Sequence, residues 1–219
     1  MEILILIVHL PPSPPHSTPS MTIDNFNTQL LLKSGTPTAF NPSALNLISL
    51  EFSNTALMNR VKAPTFVTEN DWITTTWPRE RMNNPKYHPQ VRHYCLASQP
   101  NSYTDFHADF GGSSVWYHVV SGLKTFYLIP PTLENLAIYE DWLCDPLKTS
   151  TFLGDLISSS KLTLNAGETL FIPSGWIHAV HTPVDSLVFG GNFMHGWGTE
   201  MQIRINNIEE RAKVQTEFR

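Results

Sequence analysis

The sequence predicts a mainly β domain with flanking helices, folded as a double-sheet jelly roll or barrel. Three observations predict it. From residue 103 onward, short alternating or apolar segments recur with turn residues between them, the pattern of closed antiparallel architectures. Segments of helical character stand around this run, where they would pack outside it. No internal repeat of fixed period is present, so a solenoid is not indicated.

Length and composition fit one sizeable core, or a core with a small appendage: 219 residues, 41% hydrophobic and only 15% charged. The net charge of −5 argues against tight binding to a phosphate backbone, so direct sequence-specific DNA binding by this domain is not expected. The same charge permits a basic peptide as partner. Cys95 and Cys144 form no C-x-x-C and read as free thiols of a reducing compartment. Met1–Leu10 is apolar, but it lacks a basic start, carries Glu2, is too short to span a bilayer and runs into Pro11-Pro12-Ser13-Pro14-Pro15. Neither a signal peptide nor a membrane span is expected. Residues 1–20 therefore stand as an unassigned apolar and Pro-rich segment, with 11–20 a linker, and 21–219 as the domain.

The elements follow in order. Thr22–Lys33 is a short helix candidate with Asp24 or Asn25 as N-cap, and 34–44 is loop. Leu45–Phe52 alternates as a strand does. Asp71–Trp77 is a short helix stopped by Pro78, residues 78–90 an exposed loop, and Val91–Ser98 a strand. Ser114–Ser121 alternates, Gly122 is read as a turn, and Lys124–Ile129 as the returning hairpin partner, ended by Pro130-Pro131. Thr132–Trp142 has helical spacing, and 143–160 is irregular. Leu162–Leu164 and Thr169–Ile172 are read as a hairpin about Asn165-Ala166-Gly167. Trp176–Thr182 and Val184–Phe189 are strands separated by Pro183. A C-terminal helix with Thr199 as N-cap carries the stripe Met201, Ile205, Ile208, Ala212.

The chemistry concentrates in Tyr103–Gly112, which holds His107-Ala108-Asp109. Residues two apart on a strand share a face, about 7 Å apart along the backbone. An imidazole and a carboxylate so placed are two thirds of the 2-His-1-carboxylate facial triad of non-haem Fe(II) oxygenases. His178, in Pro173-Ser174-Gly175-Trp176-Ile177-His178, supplies a third ligand. Three protein ligands leave octahedral positions for a bidentate 2-oxoacid and O2. A 2-oxoacid dicarboxylate also needs a cation: Lys124, alone at the start of an apolar strand beside Phe126 and Leu128, fits. Thr104, Tyr117 and Asn46 offer further donors. Tyr94, Phe110 and Trp176 could wall a channel for a methylated ammonium. Gly111-Gly112 and Gly190-Gly191 permit close backbone approach or simple turns. Of the other histidines, His181 falls on the opposite strand face from His178, and His93, His118 and His195 read as structural.

Four segments then carry a resemblance: LNLISLEF (45–52), YTDFHADFGGSSVWYH (103–118), TLFIPSGWIHAV (169–180) and TPVDSLVFGGNFM (182–194). They resemble the JmjC-domain histone lysine demethylases, within them the subgroup of JmjC-domain histone demethylation protein 1 and its PHD-finger-linked relatives. The similarity spans about residues 40–215. It implies a double-stranded β-helix, cupin-like fold, with Fe(II) and, as cosubstrate with O2, 2-oxoglutarate. By position, His107, Asp109 and His178 match iron ligands, and Thr104 and Lys124 match 2-oxoglutarate binders. Asn46 and Tyr117 fall in the same pocket, and Tyr94 and Phe110 where the family lines its methyl-lysine channel. Ala108 departs from the larger aliphatic residue of relatives, and no PHD finger or CXXC zinc module is seen. The implied activity is oxidative demethylation of histone H3 in the nucleus, with chromatin as partner and mono- or dimethylated lysine 36 as first expectation. The alternatives are the lysine-9 and lysine-27 marks, a 2-oxoglutarate-dependent protein hydroxylase, or a non-catalytic chromatin-binding module.

Overall fold

The computed structural model describes residues 45–81, 88–145 and 151–214. The expectations for Met1–Leu10, the linker, the boundary at 21, the Thr22–Lys33 helix and the 34–44 loop lie outside the described residues. Among the described residues seven strands are present: β1 (Asn46–Glu51), β2 (Tyr94–Ser98), β3 (Ser102–His107), β4 (Ser114–Ile129), β5 (Ser160–Asn165), β6 (Thr169–Ile172) and β7 (Ile177–Phe193). Every pairing is antiparallel. The first half of β4 pairs with β6 and with the second half of β7, which continues to β2 and β1. The second half of β4 pairs with β5 and with the first half of β7, which continues to β3. Two sheets thus share their two central strands, as a mainly β jelly roll requires.

The expected hairpins are not formed. Ser114–Ser121 and Lys124–Ile129 are one strand of 16 residues, and β7 runs 17 residues straight through Pro183. Leu162–Leu164 and Thr169–Ile172 do not pair with each other; both lie along β4. The turn residues mark corners at which each strand leaves one sheet for the other. The corner near Asn101 falls opposite 183–185 of β7, and those at Gly122 and Gly167 fall beside each other. Bulges bend a strand with the same residues that close a hairpin, so the local pattern is shared.

The corner at Gly122 needs a residue without a side chain. Its φ is 84°, and a Cβ there would sit 2.1 Å from the Asp185 carbonyl oxygen.

Among the described residues five α-helices flank the sheets: α1 (Thr65–Asn70), α2 (Trp72–Thr75), α3 (Leu133–Cys144), α4 (Leu153–Leu156) and α5 (Thr199–Arg211). The Asp71 carboxylate caps α2 by accepting from the Ile73 and Thr74 N–H groups, and Thr132 caps α3 through the Asn135 N–H. Thr199 is the first helical residue of α5 and Gly198 occupies its N-cap, one position earlier than expected. The core has three parts. Val115, Tyr117, Val119, Phe126, Leu164, Leu170 and Val188 fill the space between the sheets. Helices α3, α4 and α5 cover one outer face with Leu136, Trp142, Leu153, Ile205 and Ile208. Phe52, Leu57, Val67, Trp116 and Phe189 cover the other.

Replacing Gly122 by Ala should lower the unfolding free energy by about 2 kcal/mol or more, through a strained φ and a backbone clash. Urea unfolding of G122A against the parent chain measures it; an unchanged midpoint refutes the corner's dependence on glycine.

Candidate metal centre

The site is built on β3 and β7. Thr104 pairs with Val180, whereas His107 pairs with His178. Three steps on β3 oppose two on β7, so β3 carries a bulge at Asp105–Phe106. The bulge turns both Thr104 and His107 inward, and brings the rings of His107 and His178 to 4.3 Å between centroids. β3 ends at His107, but Asp109 remains extended (φ −63°, ψ 141°), so the alternation carries on past the strand end.

His107, Asp109 and His178 present three ligand atoms within 4.8 Å of one another. The His178 Nε2 lies 3.9 Å from Asp109 Oδ2, beyond a direct hydrogen bond. Each imidazole directs its other nitrogen to a backbone carbonyl: His107 Nδ1 lies 2.8 Å from the Asp105 oxygen, and His178 Nδ1 3.1 Å from that of Trp176. Donation to those carbonyls places the proton on Nδ1 and leaves both Nε2 atoms as free electron pairs. Burial holds the His178 pKa down to about 4, helped by the neighbouring His107, so this ring is neutral at pH 7. Two imidazoles and a carboxylate suit a divalent first-row metal such as Fe(II). The triad could hold that ion; His107 and Asp109 are half-buried and His178 is buried, so the centre opens to one side.

Two residues outside the set expected from sequence steady the loop that carries these donors. The Tyr139 hydroxyl on α3 accepts the N–H of Ala108, between His107 and Asp109, at 3.0 Å. Both Glu209 carboxylate oxygens on α5 accept the N–H of Gly111 at 3.1 Å. Glu209 stands four residues after Ile205 on the apolar stripe, and a buried carboxylate at that spacing was its only signal.

A second polar group lies between the sheets. Lys124 is 2% exposed. Its ammonium donates to Ser98 Oγ and to Thr182 Oγ1, each at 2.7 Å. Ser98 donates to Asn46 Oδ1 at 2.8 Å, and Asn46 Nδ2 donates to Thr104 Oγ1 at 3.3 Å. Lys124, Asn46 and Thr104 therefore form one chain joined through Ser98, with Thr182 as a further partner at the Lys124 end. Burial without an acidic partner pushes the Lys124 pKa down to about 7. Phe126, two residues on along the same face, has its ring 6.1 Å from that of His178 and 5.0 Å from that of Tyr117. It joins the polar chain, Tyr117 and the triad in one interior. Burial raises the Tyr117 phenol well above its ordinary value, so it stays protonated.

Tyr94 is half-buried on β2, and its hydroxyl donates to the Gln90 carbonyl at 3.4 Å. Burial, with the charges of Glu51 and Asp109, raises its pKa to about 12, so the phenol stays protonated. Phe110, half-buried, opens the turn Phe110–Gly112 directly after Asp109. Trp176 is packed into the interior with Val115 and Ile172, so its carbonyl, not its ring, serves the triad. His118 is bonded to Thr169 and His195 to Ser114, and His93 is buried among Phe52 and Trp116.

A jelly roll with two imidazoles and a carboxylate converging at an open side, and a buried ammonium behind them, defines a cupin-like domain with a candidate mononuclear metal site. The family described as JmjC domain, hydroxylase, matches residues 94–193. Lysine-specific demethylase 2B of Mus musculus is 50% identical over 195 residues, covering 84% of this chain and 15% of that protein. Lysine-specific demethylase 2A of Xenopus tropicalis is 48% identical, covering 84% and 17%. Histone lysine demethylase PHF8 of Danio rerio is 48% identical over 176 residues, covering 80% and 17%. The chain belongs to the JmjC-domain family, and it spans 15% to 17% of the length of these curated relatives.

Replacing His178 by Ala removes one of three donors. Affinity for Mn(II), followed by calorimetry, should fall more than about 100-fold, beyond the loss from a merely supporting residue. Unchanged binding would place the metal elsewhere.

Proposed function

We propose that this domain is the catalytic core of an Fe(II)- and 2-oxoglutarate-dependent dioxygenase that removes methyl groups from lysine on the histone H3 tail in the nucleus. The observation that carries the reading is an intact two-histidine, one-aspartate donor set in a chain about half identical to named lysine demethylases. Mono- and dimethylated lysine 36 is the favoured substrate, following the resemblance to the first subgroup.

His107, Asp109 and His178 would hold the metal, with Nε2 of each ring directed to it. Bound iron supplies the redox chemistry with O2 that oxidises the N-methyl carbon to formaldehyde while 2-oxoglutarate becomes succinate and CO2. Lys124 receives the far carboxylate of 2-oxoglutarate, with Thr104, Asn46 and Tyr117 completing that end. The apolar interior around Phe126 and Val180 keeps water from the bound cosubstrate. Tyr94 and Phe110, beside Asp109, face the methylated ammonium. The net charge of −5 suits a basic tail. A second reading, protein hydroxylation, is favoured by the description of the matched family. It shares every residue above and differs in product: a stable gain of one oxygen instead of a loss of one methylene with formaldehyde.

Mass spectrometry of methylated H3 peptides with iron, ascorbate and 2-oxoglutarate tests the reading. His107→Ala should abolish 2-oxoglutarate-dependent formaldehyde release, and a variant that keeps it sinks the assignment. The Lys124 ammonium should also make cosubstrate affinity depend on pH. Below about 7 the group is charged and attracts the far carboxylate; above about 7 it is neutral before binding. The affinity for 2-oxoglutarate should therefore fall as pH rises from 7 to 9, by up to about tenfold per unit. Titration calorimetry with Mn(II) present measures this, and 2-oxobutyrate, which lacks the far carboxylate, should show a flat profile.

A further inference from the structure

We propose that Thr182 is a cosubstrate-binding residue, donating its hydroxyl to the far carboxylate, and that Ser98 only positions Lys124. The inference rests on the 2-oxoglutarate reading above and deepens it. It follows from where each proton of the buried chain is directed. The Lys124 ammonium has three N–H donors. Two are committed, to Ser98 Oγ and Thr182 Oγ1, each at 2.7 Å. Both hydroxyls therefore act as acceptors, and each keeps its own O–H.

The two hydroxyls then differ. Ser98 gives its proton to Asn46 Oδ1 at 2.8 Å, so it has nothing left to offer a ligand. The Thr182 hydroxyl is given no acceptor among the described residues, although Thr182 is 2% exposed. A buried O–H with no acceptor is costly, and a bound anion removes that cost. Thr104 is half-buried; its Oγ1 accepts from Asn46 Nδ2, and among the described residues its own proton is given no acceptor.

Three donors thus remain: one N–H of Lys124 and the hydroxyls of Thr182 and Thr104. Their register keeps them together, since Thr182 pairs with Ser102, two residues before Thr104 on the neighbouring strand. Thr182 also shares the inward face of β7 with Val180 and His178. A carboxylate offers two oxygens and about four acceptor sites, enough for all three donors. A neutral ketone or methyl end offers at most two. The subsite therefore selects a dicarboxylate, and Thr182 contributes to that selection directly.

The test is calorimetric binding of 2-oxoglutarate and 2-oxobutyrate to the full chain loaded with Mn(II), which permits binding without turnover. Thr182→Val keeps the shape of the side chain and removes the hydroxyl. It should weaken 2-oxoglutarate about tenfold, as loss of one hydrogen bond to a charged group does, and leave 2-oxobutyrate unchanged. Thr182→Ser should restore binding to within about threefold of the parent. Ser98→Ala should cost 2-oxoglutarate less than Thr182→Val does. Equal loss of both ligands in Thr182→Val, or no loss of either, overturns the direct role of Thr182. A larger loss in Ser98→Ala overturns the division of roles. Failure of the parent chain to prefer 2-oxoglutarate over 2-oxobutyrate overturns instead the reading of the pocket on which this rests.

Discussion

One extra residue in β3 decides where the chemistry-bearing side chains point. In a regular strand, residues three apart face opposite sides, so Thr104 and His107 could not both enter the barrel. The bulge between them restores the inward face to both, and sets His107 directly across from His178. Asp109 inherits the same face by simple alternation. Bulges next to sites commonly re-aim a side chain in this way. The loop that follows has no strand partner of its own, so two long side chains hold it. Tyr139 from α3 and Glu209 from α5 take the N–H groups of Ala108 and Gly111. The outer helices therefore do more than cover apolar surface: each fixes one backbone point beside a metal donor.

The buried ammonium imposes the second constraint. Taking Lys124 out of water disfavours its charge, and the hydroxyls that meet it are neutral. Such a group is costly to keep unless a partner of opposite sign completes it. A carboxylate arriving from solvent is such a partner, and its binding draws the proton equilibrium of the lysine back toward the charged form. If 2-oxoglutarate binds here as proposed, its affinity is coupled to pH for this reason, through the end of the molecule that meets Lys124.

Much of this was legible in the sequence. The H-x-D pair, the distant His178 and the lone Lys124 are rare residue types in apolar strands, and each was visible from its neighbours. The strand positions were also legible, because burial between two sheets leaves alternating or continuous apolar runs. Their connection was not. Gly122, Asn165-Ala166-Gly167 and Pro183 read as turns, yet each is a corner in a strand-course that continues. Local residue chemistry reports a bend in the chain; whether the chain reverses or merely changes sheets depends on partners far away in sequence. Ser98 and Thr182 were hidden for a related reason. Both are ordinary polar strand residues until the pairing of β2 with β7, and of β7 with β4, sets them around one nitrogen.

The corners also explain why polar groups can be buried where they are. Ser98 ends β2 just before one corner, Lys124 follows another, and Thr182 precedes the third at Pro183. Bulged pairing there interrupts the close apolar contact of the regular sheets, and the register shifts of β4 against β7 fall between Val119 and Thr125. His178, a candidate metal donor, lies four residues back along β7 from Thr182. These four residues of β7, roughly 13 Å of backbone at about 3.3 Å per residue, separate Thr182 from His178. The half-exposed side of the triad, at His107 and Asp109, is the side from which the proposed second reactant would approach. On the proposed reading, selection of the cosubstrate falls to the buried polar chain around Lys124 and selection of the substrate to the half-exposed side of the triad, two regions built from different residues.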